Sequence, residues 1–420
     1  MNPKKVLVQF TALLVVATPL WPSLSGQAYG ETFDLAYFEE RIGFTATDEQ
    51  REQIAPVLKK FNKSRTHRAL AATISSNGWA FGAQIKAATQ LQASLSALHS
   101  CNQQRQKNGV AAQCELLVAG DDYIPTGAQL RANVTDASPS MVWRIDGGAN
   151  TLYLGGSFHL MKQTLYPLPK AFDHAFTNSS RIALETNPIL ATDPARTQSI
   201  AQLSAIDPKE FKSSQTKAQR RAFKKFARAE GIDRNALQTS QPVAGAINLS
   251  LVGYMTLGFL PDAGLEAHFA RRASEQGKPI IEVEDFSAVL ARIVSFPLED
   301  QHEMLADTIQ ELQSVDHDKH LLMLFDAWLA GNSEALYKLG DASAPGYSDG
   351  SRKISEYIID ERNQTMAQTI KSYLAEDQST FVMVGALHLV GETGLVALLR
   401  NAGYTPVRLA NNGDVWVAAQ

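Results

Sequence analysis

The sequence predicts an α/β protein with a central mixed sheet flanked by helices, preceded by a small α+β module that carries a disulfide. From residue 141 onward, short apolar runs of strand length alternate with long helical stretches, the pattern of a layered α/β domain. Ahead of that region stand two cysteines, Cys101 and Cys114. An even cysteine count in an exported chain favours a disulfide.

The first residues point to export. Lys4 and Lys5 precede an apolar run from Val6 to Trp21, broken mainly by Gln9, Thr11 and Thr18. The stretch Pro22-Ser23-Leu24-Ser25-Gly26-Gln27-Ala28-Tyr29-Gly30 follows. A basic start, an apolar centre and a small-residue exit describe a secretory signal peptide over residues 1–30, cut after Ala28 or Gly30. The alternative is a membrane anchor, but the run falls short of the roughly 20 apolar residues that a span needs. No cysteine follows to take a lipid. The expectation is a periplasmic or secreted protein without a stable membrane anchor after cleavage.

Composition narrows the classes further. The 420 residues are 45% hydrophobic and 20% charged, with a formal net charge of -4. The apolar share can supply a sizeable core. The mild acidity offers no general attraction to nucleic acid, so no nucleic-acid partner is expected.

The module is assigned to residues 31–125. Ile54, Val57, Leu58 and Phe61 recur at helical spacing and predict a helix from Thr47 to Asn62. A strand from Ala69 to Ile74 follows, then a turn at Ser76-Asn77-Gly78 and a helix from Ala87 to His99. The polar segment 102–113 reads as a loop between the cysteines, and Cys114 to Val118 as a strand. A bridge closing so short a loop contributes roughly 3 kcal/mol. A metal site there would need more ligands, and His99 is the one candidate nearby. The polar residues 126–140 read as a linker to the main domain, 141–420.

In that domain, Met141–Ile145 and Thr151–Leu154 form a hairpin around Asp146-Gly147-Gly148-Ala149-Asn150. A strand over Arg181–Leu184 precedes a helical stretch from about 195 to 275. Within it, Arg220, Arg221, Lys224, Lys225 and Arg228 form a basic face, read as solvated, with an anionic polymer or headgroup as the alternative. A strand over Pro279–Glu284 leads into helices from Phe286 to about Trp328 and from about Ile354 to Leu374. The strand Phe381–Val384, a helix over Leu395–Asn401 and a hairpin around Asn411-Asn412-Gly413-Asp414 close the chain.

Four of these strand candidates end in groups capable of chemistry: His159, Glu185, Glu284 and His388. In open α/β sheets ligands bind beyond the carboxyl ends of the strands. Two Gly-x-x-His patterns, Gly156 to His159 and Gly385 to His388, each directly follow an apolar strand. Glycine there permits a tight exit and lets a ligand or backbone come close. Either histidine alone is compatible with a structural, hydrogen-bonded role. Two imidazoles and a carboxylate together can hold a divalent metal and leave a position for water. His317 and His320, three residues apart on a charged helix, read as solvated.

The ordered motifs resemble the TraB/GumN family, which is related to the Tiki proteases. Gly156-Ser157-Phe158-His159-Leu160 with Tyr166-Pro167-Leu168-Pro169 resembles its first motif. Val384-Gly385-Ala386-Leu387-His388-Leu389-Val390-Gly391 resembles its closing motif. Leu184-Glu185, Gly277-Lys278-Pro279-Ile280 running to Val283-Glu284, and Glu361-Arg362-Asn363 resemble elements between them. The closing motif often has glycine where this chain has Leu387, and the first often has Thr-Ile where it has Ser157-Phe158. Asp285 and Glu266 also depart from the common residues, which puts a role for those two positions in doubt.

The resemblance implies the fold shared by erythromycin esterases and ChaN-like proteins. It also implies metal-dependent hydrolysis of a peptide or protein substrate. His159, His388 and Glu185 would then bind a divalent ion such as Mn, Co or Zn. Glu185 or Glu284 would be the base, and Arg362 and Asn363 would stabilise an oxyanion or orient a carboxylate. Two alternatives stand beside it: metal-free ester or amide hydrolysis by His and Glu, and a non-catalytic envelope protein that binds peptide or polysaccharide.

Overall fold

The computed structural model describes residues 33–417 apart from 43–44, 65, 76–77, 133, 191–192, 315 and 342–345. The expected signal peptide lies outside the described residues. No helix among the described residues is long and apolar enough to cross a membrane.

The N-terminal residues carry the elements read from the sequence, with two corrections. A helix over Asp48–Lys63 begins in a capping box, Thr47 and Gln50 each bonding the other's backbone. The strands β1 (Ala69–Ser75), β2 (Gly78–Gln84), β3 (Glu115–Ala119) and β4 (Asp122–Tyr123) form an antiparallel sheet in the order β2-β1-β3-β4. The strand β2 is not among the expected elements, since its glycine- and alanine-rich run carries a weak strand signal; the expected turn at Ser76-Asn77 lies outside the described residues. An added Cβ at Gly82 would lie 2.1 Å from the Ala97 carbonyl, so the glycine is what lets the helix press onto the strand. That helix, Gln90–Lys107, runs well into the segment read as a loop. Arg105 then ties the short remaining loop, donating to the carbonyls of Val110 and Ala111 and to Gln113.

Cys101 and Cys114 form a disulfide, with Cα atoms 6.1 Å apart. It joins this helix to the start of β3. Replacing both cysteines with serine is expected to lower stability by about 2–4 kcal/mol. Urea unfolding with and without reductant checks this, and the serine variant should be indifferent to reductant.

The linker expectation is also corrected. Residues 126–140 hold a helix, Gly127–Ala132, and the start of the next strand. Glu115 explains why they are ordered. Its buried carboxylate accepts from the Gly127 N–H and the Thr164 hydroxyl and lies 3.5 Å from the fully buried Lys162 ammonium. A buried charge needs such partners, and here they come from two other parts of the chain, around residue 127 and residues 162–164. Module and main domain accordingly share one apolar core, in which Leu116 and Ile124 join Trp143, Phe172 and Phe381.

The main sheet has six strands: β5 (Pro139–Asp146), β6 (Thr151–Ser157), β7 (Arg181–Leu184), β8 (Ile280–Glu282), β9 (Thr380–Gly385) and β10 (Val407–Ala410). Their order is β10-β5-β6-β9-β7-β8. The β10-β5-β6 edge is antiparallel, and β6, β9, β7 and β8 run parallel. A mixed sheet flanked by helices is the expected class. The C-terminal hairpin shrinks to β10 and a single bridge between Leu409 and Val415.

The long helical stretch is several short helices. Asp193 before Pro194 and Asp207 before Pro208 each cap a new helix, Pro194–Ser204 and Pro208–Ser213. Thr216 opens Lys217–Ala229 with a capping box, and Pro242 starts Pro242–Thr256. An N-cap oxygen with proline at the first helical position marks a start inside what hydrophobic spacing alone reads as continuous. The basic face on Lys217–Ala229 is exposed while Phe223, Phe226 and Ala227 are buried behind it, as the solvated reading requires. His317 contradicts its solvated reading. It is 7% exposed, and an added Cβ at Gly253 would lie 2.5 Å from its Nε2; the absent side chain makes room for the ring.

Candidate functional site

Four parallel strands deliver the site to one edge. His159 follows β6, Glu185 follows β7, Glu284 follows β8 and His388 follows β9. Ser157 pairs in register with Gly385, and Leu184 with Met383 and with Glu282. The four groups therefore converge beyond the carboxyl ends.

Glu185 is the centre. It is 2% exposed. Its Oε2 accepts from the Gly385 N–H at 2.7 Å, and its Oε1 accepts from Arg362 Nη2 at 2.6 Å. His388 Nε2 lies 3.6 Å from Oε1, and His159 Nε2 lies 3.9 Å from Oε2. Burial opposes charge on Glu185, but Arg362 and the two imidazoles hold its carboxyl well below the ordinary carboxylate value.

Each imidazole is held from behind. Asn363 Nδ2 donates to the Thr393 carbonyl at 3.0 Å, which turns its Oδ1 toward His388 Nδ1 at 2.8 Å. That orientation puts the ring proton on Nδ1 and leaves Nε2 facing the pocket. His159 Nδ1 lies 2.8 Å from Glu266 Oε1, which also accepts from the Ser157 hydroxyl. Burial opposes a charged His159, but Glu266 and Glu185 outweigh it and raise the ring to about 9.

Arg362 is nearly saturated. It donates from Nε and Nη2 to Glu284, from Nη2 to Glu185 and from Nη1 to the Ile358 carbonyl. Of its five N–H groups, one remains. Its main work is to position two carboxylates. Burial pushes the Glu284 carboxyl up despite Arg362, and Glu284 faces the guanidinium rather than the pocket lining. A single π-helical turn, Tyr357–Glu361, precedes Arg362 and Asn363. Such turns recur at functional sites, and here the two following side chains reach different partners, the carboxylates and His388.

The two motif glycines do different work. An added Cβ at Gly156 would lie 3.0 Å from Leu389 and 3.1 Å from Ala386, so Gly156 admits the turn that carries His388. Its carbonyl accepts from the Trp328 indole at 2.8 Å. An added Cβ at Gly385 would lie 3.4 Å from Glu185 Oε2, 3.4 Å from His159 Nε2 and 3.5 Å from His388 Cδ2. The space among the three functional groups is open because residue 385 has no side chain.

All the expected site residues thus come together, but two roles change. Asn363 touches His388 and no pocket surface, so it positions the ring rather than meeting an oxyanion. Glu266, set aside as a departure, is the partner of His159. No local signal marks it. It lies far along the chain in the first turn of the helix Leu265–Glu275. An added Cβ at Gly264 would come 2.0 Å from the His159 carbonyl, so that glycine is what lets the segment close in. Asp285 caps the helix Phe286–Val294, a structural task.

His159, His388 and Glu185 are the side chains that could hold a divalent ion. His159 Nε2 faces the space over Gly385 and His388 Nε2 faces Glu185 Oε1, and both Nδ1 atoms have the outer-shell partners that metal-ligating histidines use. Arg362 pairs with Glu185 and Glu284, while Glu266 pairs with His159. Among the described residues no three such side chains already stand at ligand spacing.

An α/β sheet with a His–Glu–His cluster at its carboxyl edge defines the class of protein. The TraB/PrgY/gumN family matches over residues 141–408, and the chain belongs to that family. Uncharacterized protein YbaP of Escherichia coli (strain K12) is 23% identical over 253 residues, covering 60% of this chain and 89% of that one. Uncharacterized protein YbaP of Shigella flexneri is 23% identical over 248 residues, covering 59% and 87%. No solved structure matches.

Proposed function

We propose that the chain is an exported hydrolase that cleaves a peptide bond, with a divalent cation held by His159, His388 and Glu185. The observation that carries this reading is the cleared space over Gly385, onto which His159 Nε2, Glu185 Oε2 and the edge of the His388 ring converge, with His388 Nε2 3.6 Å from the other Glu185 oxygen. The resemblance to the Tiki branch and to the erythromycin esterase and ChaN-like fold points the same way.

When bound, the ion would acidify a water and polarise a carbonyl. The rest falls to the chain. Glu266 and Asn363 fix the two rings. Arg362 and the Gly385 N–H keep Glu185 ionised and aimed. Glu185, nearer the rings than Glu284, is the carboxylate that completes the ligand set. Apolar walls around Phe158, Leu324 and Ile358 exclude bulk water. The disulfide supports an oxidising compartment, in keeping with a periplasmic or secreted location.

The Thr393–Asn363–His388 relay favours a second reading, in which His388 Nε2 itself takes the proton of water without a metal. Metal analysis and turnover of quenched fluorescent peptides separate the two. The expectation is one bound Mn, Co or Zn, lost in His159→Ala and His388→Ala, with turnover at least ~10²-fold lower. Full turnover after exhaustive chelation moves the assignment to the second reading. Peptide bound without turnover, unaffected by either substitution, makes the chain a binding protein instead.

A further inference from the structure

We propose that the site acts beside a bulky apolar side chain of its peptide substrate, and that Leu387, set by Gly340, fixes how large that side chain can be. This rests on the hydrolase reading above.

A pocket with about 620 Å³ of space, part of it open to solvent, opens from His159 and His388. His159, His388 and the helix residue Arg362 gather its polar groups at one end; the other walls are mainly apolar, Phe158, Leu324, Leu336, Ile358 and Leu387 beside Tyr254. No charged side chain stands on those apolar walls. A carbonyl held at the polar end therefore places the neighbouring side chain of a peptide against apolar surface. Burying a leucine or phenylalanine there contributes about 1.5–3 kcal/mol, whereas a charged side chain would find no partner. Pockets of mixed character, apolar with a few convergent polar groups, are the usual form of a substrate site.

The walls are not equally adjustable. Leu324, Leu336 and Ile358 are 2%, 0% and 1% exposed and belong to the core. Leu387 is half-buried and directly precedes His388. It cannot retreat from the pocket, because it is seated on Gly340. An added Cβ at Gly340 would lie 2.4 Å from Leu387 Cδ2 and 2.8 Å from Cδ1. Gly340 has φ -92°, a conformation open to any residue, so alanine there adds bulk without backbone strain. Gly340→Ala should thus push Leu387 into the pocket from behind, while Leu387→Ala should withdraw the wall.

The experiment uses the full exported chain and quenched peptides that vary one position beside the scissile bond through Ser, Asp, Leu, Phe and Trp. The unaltered protein should prefer Leu or Phe to Ser or Asp by at least ~10-fold in kcat/KM. Leu387→Ala should move the Trp-to-Leu ratio up by about 10-fold, and Gly340→Ala should move it down. Ratios identical in all three proteins overturn the assignment of Leu387, as does a preference for Asp. Turnover of an octanoyl ester with none of any peptide overturns the peptide substrate.

Should no substrate turn over, the hydrolase reading fails while the pocket is still tested. N-acetyl-phenylalaninamide should then bind the unaltered protein more tightly than N-acetyl-serinamide, and Gly340→Ala should weaken it. Equal binding of the two amides overturns the inference.

Discussion

Replacing Arg362 with methionine is expected to cost about 3–5 kcal/mol of stability, the typical loss when one partner of a buried ionic cluster is removed. Arg362 is 3% exposed, and Glu185, which it bonds at 2.6 Å, is 2% exposed. Without the guanidinium, Glu185 and Glu284 remain buried with no cation between them. Lysine is not an adequate substitute, since three bonds to two carboxylates use the planar fork of arginine. The triple variant Arg362→Met, Glu185→Gln, Glu284→Gln should recover much of the loss, because it leaves no unpaired charge. The urea midpoint measures both. A single methionine variant within about 1 kcal/mol of the unaltered protein would refute the claim that this cluster is held by one cation.

The same cluster predicts the acid limb of stability. Glu185 is depressed in the folded state, so its contribution is present above its ordinary value of 4.5 and fades as pH falls toward the folded value. Arg362→Met should flatten that limb.

How much of this was legible depends on whether the signal is local. Strand ends and motif glycines are local. Arg181–Leu184 and Leu395–Asn401 stand where apolar run length and turn residues set them, and β6 and β9 extend their predicted strands by only a few residues. Helix breaks are also local, but they are written in caps: the Asp-Pro pairs at 193–194 and 207–208 divide a stretch whose hydrophobic spacing looks continuous. The His159–Glu266 contact is of another kind. It depends on the segment before Leu265 bonding back to the first motif, where the Leu265 N–H donates to the Phe158 carbonyl and Met161 pairs with Leu260. No spacing in the sequence announces a partner brought together by that pairing. The burial of His317 likewise depends on Gly253, a residue on another helix, and charged neighbours alone point the wrong way.

Gly385→Ala is the substitution that should separate chemistry from fold most sharply. Gly385 has φ -50° and ψ 136°, so alanine fits the backbone. Its methyl would meet Glu185 Oε2, His159 Nε2 and His388 Cδ2 at 3.4–3.5 Å, ordinary contact distances. Stability should stay within about 1 kcal/mol of the unaltered protein, since the glycine-to-alanine change also restricts the unfolded chain. The methyl nonetheless stands in the space where ion, water or carbonyl would have to sit. Metal occupancy and turnover should fall at least ~10²-fold, a typical loss when reacting groups are displaced by about 1 Å. Gly156→Ala provides the contrast. Its Cβ would press on Leu389 and the Ala386 backbone at 3.0–3.1 Å, so its first effect should be a lower urea midpoint. If Gly385→Ala keeps both stability and turnover, the reacting atoms lie elsewhere and the two histidines are structural. If it loses turnover while keeping stability, the first glycine of the closing motif is there to hold a space open.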